Sequence, residues 1–406
     1  MIIVILKLLE IGTRAIFIVL ATYALDLSQA GLFGFLVTLQ GLASFAFGYE
    51  RYIDIQRRLA GEPAGRIDQQ VRKTFFFFCA NYLGMLPVFA IGLVLSSTMS
   101  PMIILLLCVI AVAEQLMNQG YFLTILDRRY VGMLVVSSAK NVFLLAALVA
   151  LFVAAPHKAQ VETILSLWAA TLVVSAALLL VVWRVKRRTD VPPLSVSGRD
   201  ILDQYKHSRT HFLVGLVAVV VLQFDRIAVG SLLPFDQAGI YFRHVMVVGL
   251  VYQVFGIFSA NAITLNVYRR AKEGSFEEAS REARRFYPLM ILALVAMLAV
   301  FLAGWTFLGS YGAHYHLNAV YFVALFAAAS LRIRADLNLI LFNAFRREKT
   351  ILKLQLASFG VSAIMLIGLT RIYGISGTIA AGLIGAIFYL SISTVAIRRL
   401  RRQQTS

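Results

Sequence analysis

The chain has 406 residues, 60% of them apolar and only 14% charged, with a mean hydropathy of +0.81. Those values exclude a soluble globular domain, in which about 25% of residues are charged. The formal charge of +18 raises the question of nucleic acid, and the placement of the basic residues answers it.

Continuous apolar stretches predict twelve membrane-spanning helices, over residues 2–25, 28–49, 74–97, 101–126, 130–155, 160–183, 211–234, 237–266, 287–309, 317–345, 351–371 and 375–397. Each is near or above the roughly 20 residues a bilayer demands. Barrel strands would alternate in polarity over about 10 residues, and these stretches do not. The first helix starts at Met1 and carries Lys7 and Glu10 with no small-residue cleavage site behind a short apolar core, so it is expected to be retained rather than removed as a signal peptide. Cys79 and Cys108 fall inside spans, which leaves them as packing or lipid-facing residues rather than a disulfide or zinc framework.

Of the 38 Lys and Arg residues, 29 lie in or at the edge of the segments after even-numbered helices. The opposite loops hold Lys158 and Arg371. Positive segments stay in the cytoplasm, so the reading is a polytopic inner-membrane protein with both termini cytoplasmic, and the charge is topological rather than a nucleic-acid footprint.

Ser28-Gln29-Ala30-Gly31-Leu32-Phe33 aligns with Asp236-Gln237-Ala238-Gly239-Ile240-Tyr241 at an offset of 208 residues, at the same outer turn of each half. An even number of helices separates the copies, which predicts parallel repeats related by a pseudo-two-fold axis along the membrane normal. The expected organisation is an N-terminal lobe over 1–184, a cytoplasmic linker over 185–210 and a C-terminal lobe over 211–406. The linker region opens with Arg184, Lys186, Arg187 and Arg188 and passes through Val191-Pro192-Pro193. Ser197 with Asp200 then resembles a capping box ahead of a short surface helix marked by Ile201, Leu202 and Tyr205. Ser275 with Glu278 repeats that signature before Glu282, Arg284 and Arg285, and both elements are expected at the inner headgroups.

Seven basic residues lie inside predicted spans (Lys7, Arg14, Lys140, Arg226, Arg243, Arg332, Arg334), together with four acids (Glu10, Glu114, Asp225, Asp336). A mid-bilayer charge costs about 2.5–3.5 kcal/mol even on the lenient insertion scale, so these must face one another or water. At about 100° per residue, Lys7, Glu10 and Arg14 share one sector. Arg332 and Asp336 share another, and Arg334 projects nearly opposite Arg332. Arg332, paired with Asp336, is therefore the residue expected in a cavity. Arg14, Glu114, Asp225, Arg226 and Arg332 fall nearest the midplane, with Lys7 close to the inner surface and Arg243 to the outer. One reading is that each base ties to an acid as interhelical glue. The other is that the three cations in excess bind an anionic solute, with the planar fork of Arg suited to phosphate oxygens. On the second reading the substrate-binding candidates are Arg14, Arg226, Arg332, Lys140 and Arg243, with Glu10, Glu114, Asp225 and Asp336 coupling an ion or pairing charge.

No nucleotide-binding Gly-x-x-x-x-Gly-Lys-Ser/Thr loop occurs, so the chain is expected to need no cofactor and to run on a gradient, with H+ or Na+ as the coupling ion. His314 and His316, two residues apart without a third ligand, make poor zinc spacing. A membrane glycan polymerase or ligase is the enzymatic rival. Its usual sizeable outer catalytic loop finds little room in outer loops of about ten residues.

The run Gln223-Phe224-Asp225-Arg226-Ile227-Ala228-Val229-Gly230 through Ala238-Gly239-Ile240-Tyr241 resembles the seventh-helix signature of Wzx-type polysaccharide flippases. Arg371-Ile372-Tyr373-Gly374-Ile375-Ser376-Gly377-Thr378-Ile379-Ala380 resembles that family's junction before its last span. Leu8-Leu9-Glu10 through Arg14 to Ala30-Gly31-Leu32-Phe33 is similar to its first hairpin. The resemblance implies the all-α fold of multidrug-and-toxin exporters, two six-helix lobes facing each other across a central cavity. It also implies an undecaprenyl-pyrophosphate-linked oligosaccharide as substrate, a binding role for Asp225 and Arg226, and a polysaccharide polymerase and chain-length regulator as partners. On this reading the pyrophosphate binds Arg14, Arg226 and Arg332 while the polyprenyl tail stays in lipid. The competing expectation on the same fold is a cation-coupled exporter of organic cations.

Overall fold

The computed structural model describes residues 2–49, 64–96, 99–126, 131–155, 159–186, 197–258, 263–285, 287–307, 318–345 and 347–405. Lys158, Arg187, Arg188, Val191, Pro192, Pro193, His314 and His316 lie outside the described residues.

Every regular element among the described residues is helical: α1 (Ile2–Ala24), α2 (Leu27–Gly48), α3 (Ala64–Ser96), α4 (Pro101–Leu126), α5 (Val131–Ala154), α6 (Val161–Lys186), α7 (Gly198–Leu232), α8 (Phe235–Phe258), α9 (Thr264–Lys272), α10 (Phe276–Arg285), α11 (Tyr287–Phe307), α12 (Ala319–Ala344) and α13 (Glu348–Thr405). Seven described stretches are long and apolar enough to cross a bilayer: Leu27–Gly48, Lys73–Val94, Pro101–Gln119, Val131–Ala154, Val161–Val185, Gly215–Leu232 and Lys349–Gln403. α1 and α12 have spanning length, but each carries three charges. Such helices cross only when protein, rather than lipid, surrounds those charges.

The last stretch holds two spans, because α13 is broken at Gly374, where φ is 59° and ψ is −135°. Across the break Thr370 Oγ1 meets Thr378 Oγ1 at 2.9 Å, and a side chain at Gly385 would press on Ser362. The halves 348–373 and 375–405 therefore run antiparallel. A Cβ is strained in that backbone region, so Gly374→Ala is expected to cost about 1–3 kcal/mol. The check is the melting temperature of the purified protein, and an unshifted melt would show that the reversal tolerates a side chain.

Two helices extend beyond the expected spans. α3 begins at Ala64 rather than near 74, and α7 runs from Gly198 to Leu232, so the expected surface helix and the seventh span are one element. Its start is the capping box: Ser197 N donates to Asp200 Oδ2 at 3.0 Å and Asp200 N donates to Ser197 Oγ at 3.2 Å. With Lys73 Nζ 3.3 Å from Asp200 Oδ1, these hydrogen bonds, the backbone one first, hold the Asp200 carboxyl below its ordinary pKa. The Ser275 signature also caps its helix, as Glu278 N donates to Ser275 Oγ at 3.2 Å.

Packing divides the chain into two compact units, Met1–Leu25 with Phe35–Val220, and Asp26–Gly34 with Val221–Ser406. The boundary expected between 184 and 211 thus falls inside α7, and the start of α2 joins the second unit. In the first unit α1 packs on α5 and α4 on α6, and Phe17 meets Trp168 edge-on at 5.7 Å. The early turns of α7 dock there: Tyr205 Oη donates to Asn81 Oδ1 at 3.0 Å, and Phe212 stacks on Tyr49 at 4.1 Å.

In the second unit α12 packs on α13 and α8, and α10 buries Phe276, Ala279, Ser280 and Ala283. The aligned segments meet here. A Cβ at Gly31 would collide with the Phe235 carbonyl, and one at Gly239 with the Leu27 carbonyl. Leu27 and Phe235 stand at the same 208-residue offset as Gly31 and Gly239, so the contact is reciprocal. The shared Ala-Gly pair is the close crossing that this contact requires.

Candidate functional site

In the first unit five helices converge on one carboxylate. Glu114 of α4 is only 2% exposed along its side chain, and it accepts from Arg14 Nη1 of α1 at 3.2 Å, Lys140 Nζ of α5 at 3.1 Å and Trp168 Nε1 of α6 at 3.2 Å. Gln40 of α2 completes the set, with Arg14 Nη2 donating to its Oε1 at 3.3 Å. One turn away on α1, Glu10 accepts from Lys7 Nζ at 3.0 Å and from Ser137 Oγ at 2.8 Å. Asn141 Nδ2 donates to the Glu10 backbone carbonyl at 2.7 Å. The shared sector expected for Lys7, Glu10 and Arg14 thus faces α4 and α5.

Burying charge costs several kcal/mol per ion, offset only by good geometry and further hydrogen bonds. Glu114 has both, so this cluster ties helices together. Lys140, expected among the substrate-binding cations, is 1% exposed and held by Glu114; no solute reaches it in this arrangement. Arg14, expected as a phosphate ligand, has two of its nitrogens on Glu114 and Gln40, although its side chain stays 30% exposed.

The second unit contains a cavity of about 320 Å³ whose lining includes Asp225 and Arg226 of α7, Tyr241 and Tyr252 of α8, Arg332 of α12 and Tyr389 of α13. Ser358, Ser362 and Thr378 add hydroxyl groups, and Phe224 and Phe359 add aromatic surface. Asp225 in the lining, and Asp336 behind the lining tyrosines Tyr252 and Tyr389, are occupied by phenols rather than by bases. Asp225 Oδ2 accepts from Tyr241 Oη. Asp336 accepts from Tyr252 Oη and, at 3.4 Å, from Tyr389 Oη.

The pairing of Arg332 with Asp336, expected from their one-turn spacing, is therefore not made. Tyrosines from α8 and α13 take the carboxylate, and no ion pair joins Arg332 to it among the described residues. Arg226 Nε and Asp225 Oδ1 are buried with no hydrogen-bond partner among the described residues. Arg226 Nη2 runs past Gly249, 3.3 Å from where a Cβ would stand, so the absent side chain makes room for the guanidinium. Arg334 points elsewhere, its Cζ 4.7 Å from the Tyr287 ring centroid. Arg243 is 4% exposed and does not line the cavity.

The structure thus brings Asp225, Arg226 and Arg332 together in the second unit, and Arg14, Glu114 and Lys140 in the first. Sequence reasoning missed Trp168, Tyr241, Tyr252 and Tyr389. The available signal was their position inside spans, where a polar tip must find a partner.

No protein-family model matches the chain, and no curated protein does. Solved structures share its fold. An inward-facing multidrug-resistance transporter of the MATE family, in the MOP superfamily, aligns over 98% of this chain and 96% of its own with a TM-score of 0.66 at 14% identity. An outward-facing one covers 99% and 95% with a TM-score of 0.61 at 13% identity. A MATE in complex with MaL6 covers 98% and 96% with a TM-score of 0.58 at 15% identity. The chain is an all-helical, multi-pass membrane protein with the MATE fold.

Proposed function

We propose that this MATE-fold chain is a transporter rather than an enzyme. On this reading it moves undecaprenyl-pyrophosphate-linked oligosaccharide from the cytoplasmic to the periplasmic leaflet of a bacterial inner membrane. The observation that carries the reading is a pair of arginines, Arg226 and Arg332, on the wall of one cavity with no ion pair to a carboxylate among the described residues. Unpaired guanidinium groups in a low-dielectric site are costly, and a diphosphate supplies the planar oxygen pairs they need. The seventh-helix resemblance supports the same substrate class, since it includes Arg226 itself. On this proposal Arg14 and Lys140 belong to the scaffold and not to the phosphate site.

Alternating access on this fold would move only the head group, while the polyprenyl tail stays in lipid. A negative-inside potential favours outward passage of an anion by about 2.3 kcal/mol per charge per 100 mV. Asp225, with one oxygen unpartnered, is the acid we assign to coupling an inward H+ or Na+; Glu114 is committed to three donors. Deleting the chain is expected to accumulate lipid-linked glycan on the inner leaflet, and chemical accessibility of that glycan in intact spheroplasts is the check. Normal outer-leaflet labelling in the deletion strain would remove the proposal.

A second reading, an exporter of organic cations, draws on the multidrug transporters among the fold relatives and on Tyr241, Tyr252 and Tyr389 beside two carboxylates. Overexpression that raises resistance to cationic drugs in a strain lacking lipid-linked glycan would favour it.

A further inference from the structure

Arg332 and Arg334 leave α12 on different faces, and Arg334 enters a second cavity of about 290 Å³ that the transport reading does not use. Its walls are α10 with Glu277, Ser280 and Arg284, α12 with Arg334 and Asn338, and the last turns of α13 with Thr394, Arg398 and Arg401; Phe276 and Ile397 close it with apolar surface. Four arginines face one acid, and that acid is engaged, since Glu277 Oε1 lies 2.6 Å from Arg401 Nε. Arg284 and Arg398 have no ion-pair partner among the described residues. Asn338 is anchored by its amide, donating to Ser393 Oγ at 3.1 Å.

The general bias toward basic residues at one membrane face explains a positive surface. It does not gather four guanidinium groups around one concavity, one of them from inside an expected span, where like charges repel. A bound anion removes that repulsion. The volume holds roughly ten waters, enough for a phosphodiester with its glycerol. The apolar neighbours matter as well. α13 exposes Ile387 and Val395 close by in sequence, at 50% and 48%, a surface along which an acyl chain can lie.

We propose that this cavity binds a phosphate-bearing anion, with the head group of an anionic membrane lipid as the source its arginine-and-apolar lining fits best. The site is separate from the Arg226–Arg332 cavity and does not depend on what the protein transports.

The test uses purified full-length protein in neutral detergent, with retention of phosphatidylglycerol and phosphatidylcholine read by native mass spectrometry and thermal melting. Wild type is expected to prefer phosphatidylglycerol by at least about tenfold. Arg284→Gln and Arg398→Gln should each weaken that binding about fivefold, while the lipid-free melting temperature stays level or rises as repulsion is relieved. Thr394→Glu supplies an internal carboxylate without removing any arginine, so it should fold and yet lose the lipid preference. Arg399→Gln, exposed and outside the cavity, should change nothing. Inorganic phosphate is the second probe. Binding of phosphate alone with the same variant sensitivity, and no preference between lipids, supports the anion site and reassigns its source to a free anion. Equal phosphatidylglycerol retention by wild type, both Gln variants and Thr394→Glu overturns the proposal.

Discussion

Arg332→Gln is expected to reduce export of lipid-linked glycan by at least about tenfold at unchanged protein level, and Arg226→Gln by a similar amount. Each charge-assisted hydrogen bond to a phosphate contributes about 1.5–3 kcal/mol, and a fork binding in two places loses both. Arg332→Lys separates charge from geometry. Lysine keeps the point charge but not the planar pair of donors, so partial export is expected. Folding should survive these changes, because among the described residues neither arginine ties helices together through an ion pair with a carboxylate. Removing an unpaired buried cation relieves a cost rather than creating one. Pulse-labelled glycan export measured beside membrane protein level is the assay, with Arg399→Gln as the control. Full export by Arg332→Gln together with Arg226→Gln would remove the cationic cavity from the mechanism.

Glu114→Gln should instead act on stability. The substitution leaves Arg14 and Lys140 without their carboxylate, and a broken buried pair costs about 3–5 kcal/mol, a large share of the roughly 5–15 kcal/mol that typically holds a folded protein together. The expected result is a large drop in melting temperature and in accumulated protein. Glu114→Gln combined with Lys140→Met should recover part of the loss, because it removes the fully buried lysine charge that the single change leaves uncompensated. Non-additivity in that double-mutant cycle reports the coupling directly. A Glu114→Gln protein that melts like wild type would show that the five-helix convergence carries no stability.

These two predictions differ in kind because the intramembrane charges divide in a way the sequence only partly disclosed. Helical phase along α12 placed Arg332 and Arg334 on different faces, since phase is local. Partners are not local. Arg14 and Glu114 are a hundred residues apart, and spacing on one helix cannot reveal that Tyr252 and Tyr389 reach Asp336 before Arg332 does. The surplus of positive charge was countable, and it concentrates among the arginines of the second unit.

Hydropathy located the spans but not the helix ends, because it detects bilayer rather than backbone hydrogen bonding. Lys206-His207-Ser208-Arg209-Thr210 is polar, yet it contains neither Gly nor Pro, so α7 runs through it from its Ser197 cap. The Ala-Gly pair shared at 30–31 and 238–239 looked like a weak repeat, and it proves to be a contact in which each backbone touches the other. Gly374 was legible as part of a junction; its positive φ supplies the reason for the glycine.

The most direct test of the central claim is translocation by the purified protein. Vesicles carrying undecaprenyl-pyrophosphate-linked oligosaccharide, with the chain reconstituted and a membrane potential imposed, should show protein-dependent transfer of glycan between leaflets. That transfer should be slowed by pyrophosphate and by Arg332→Gln, and left unchanged by organic cations. Extrusion of an organic cation by the same vesicles, with the glycan staying on its original leaflet, would contradict the account.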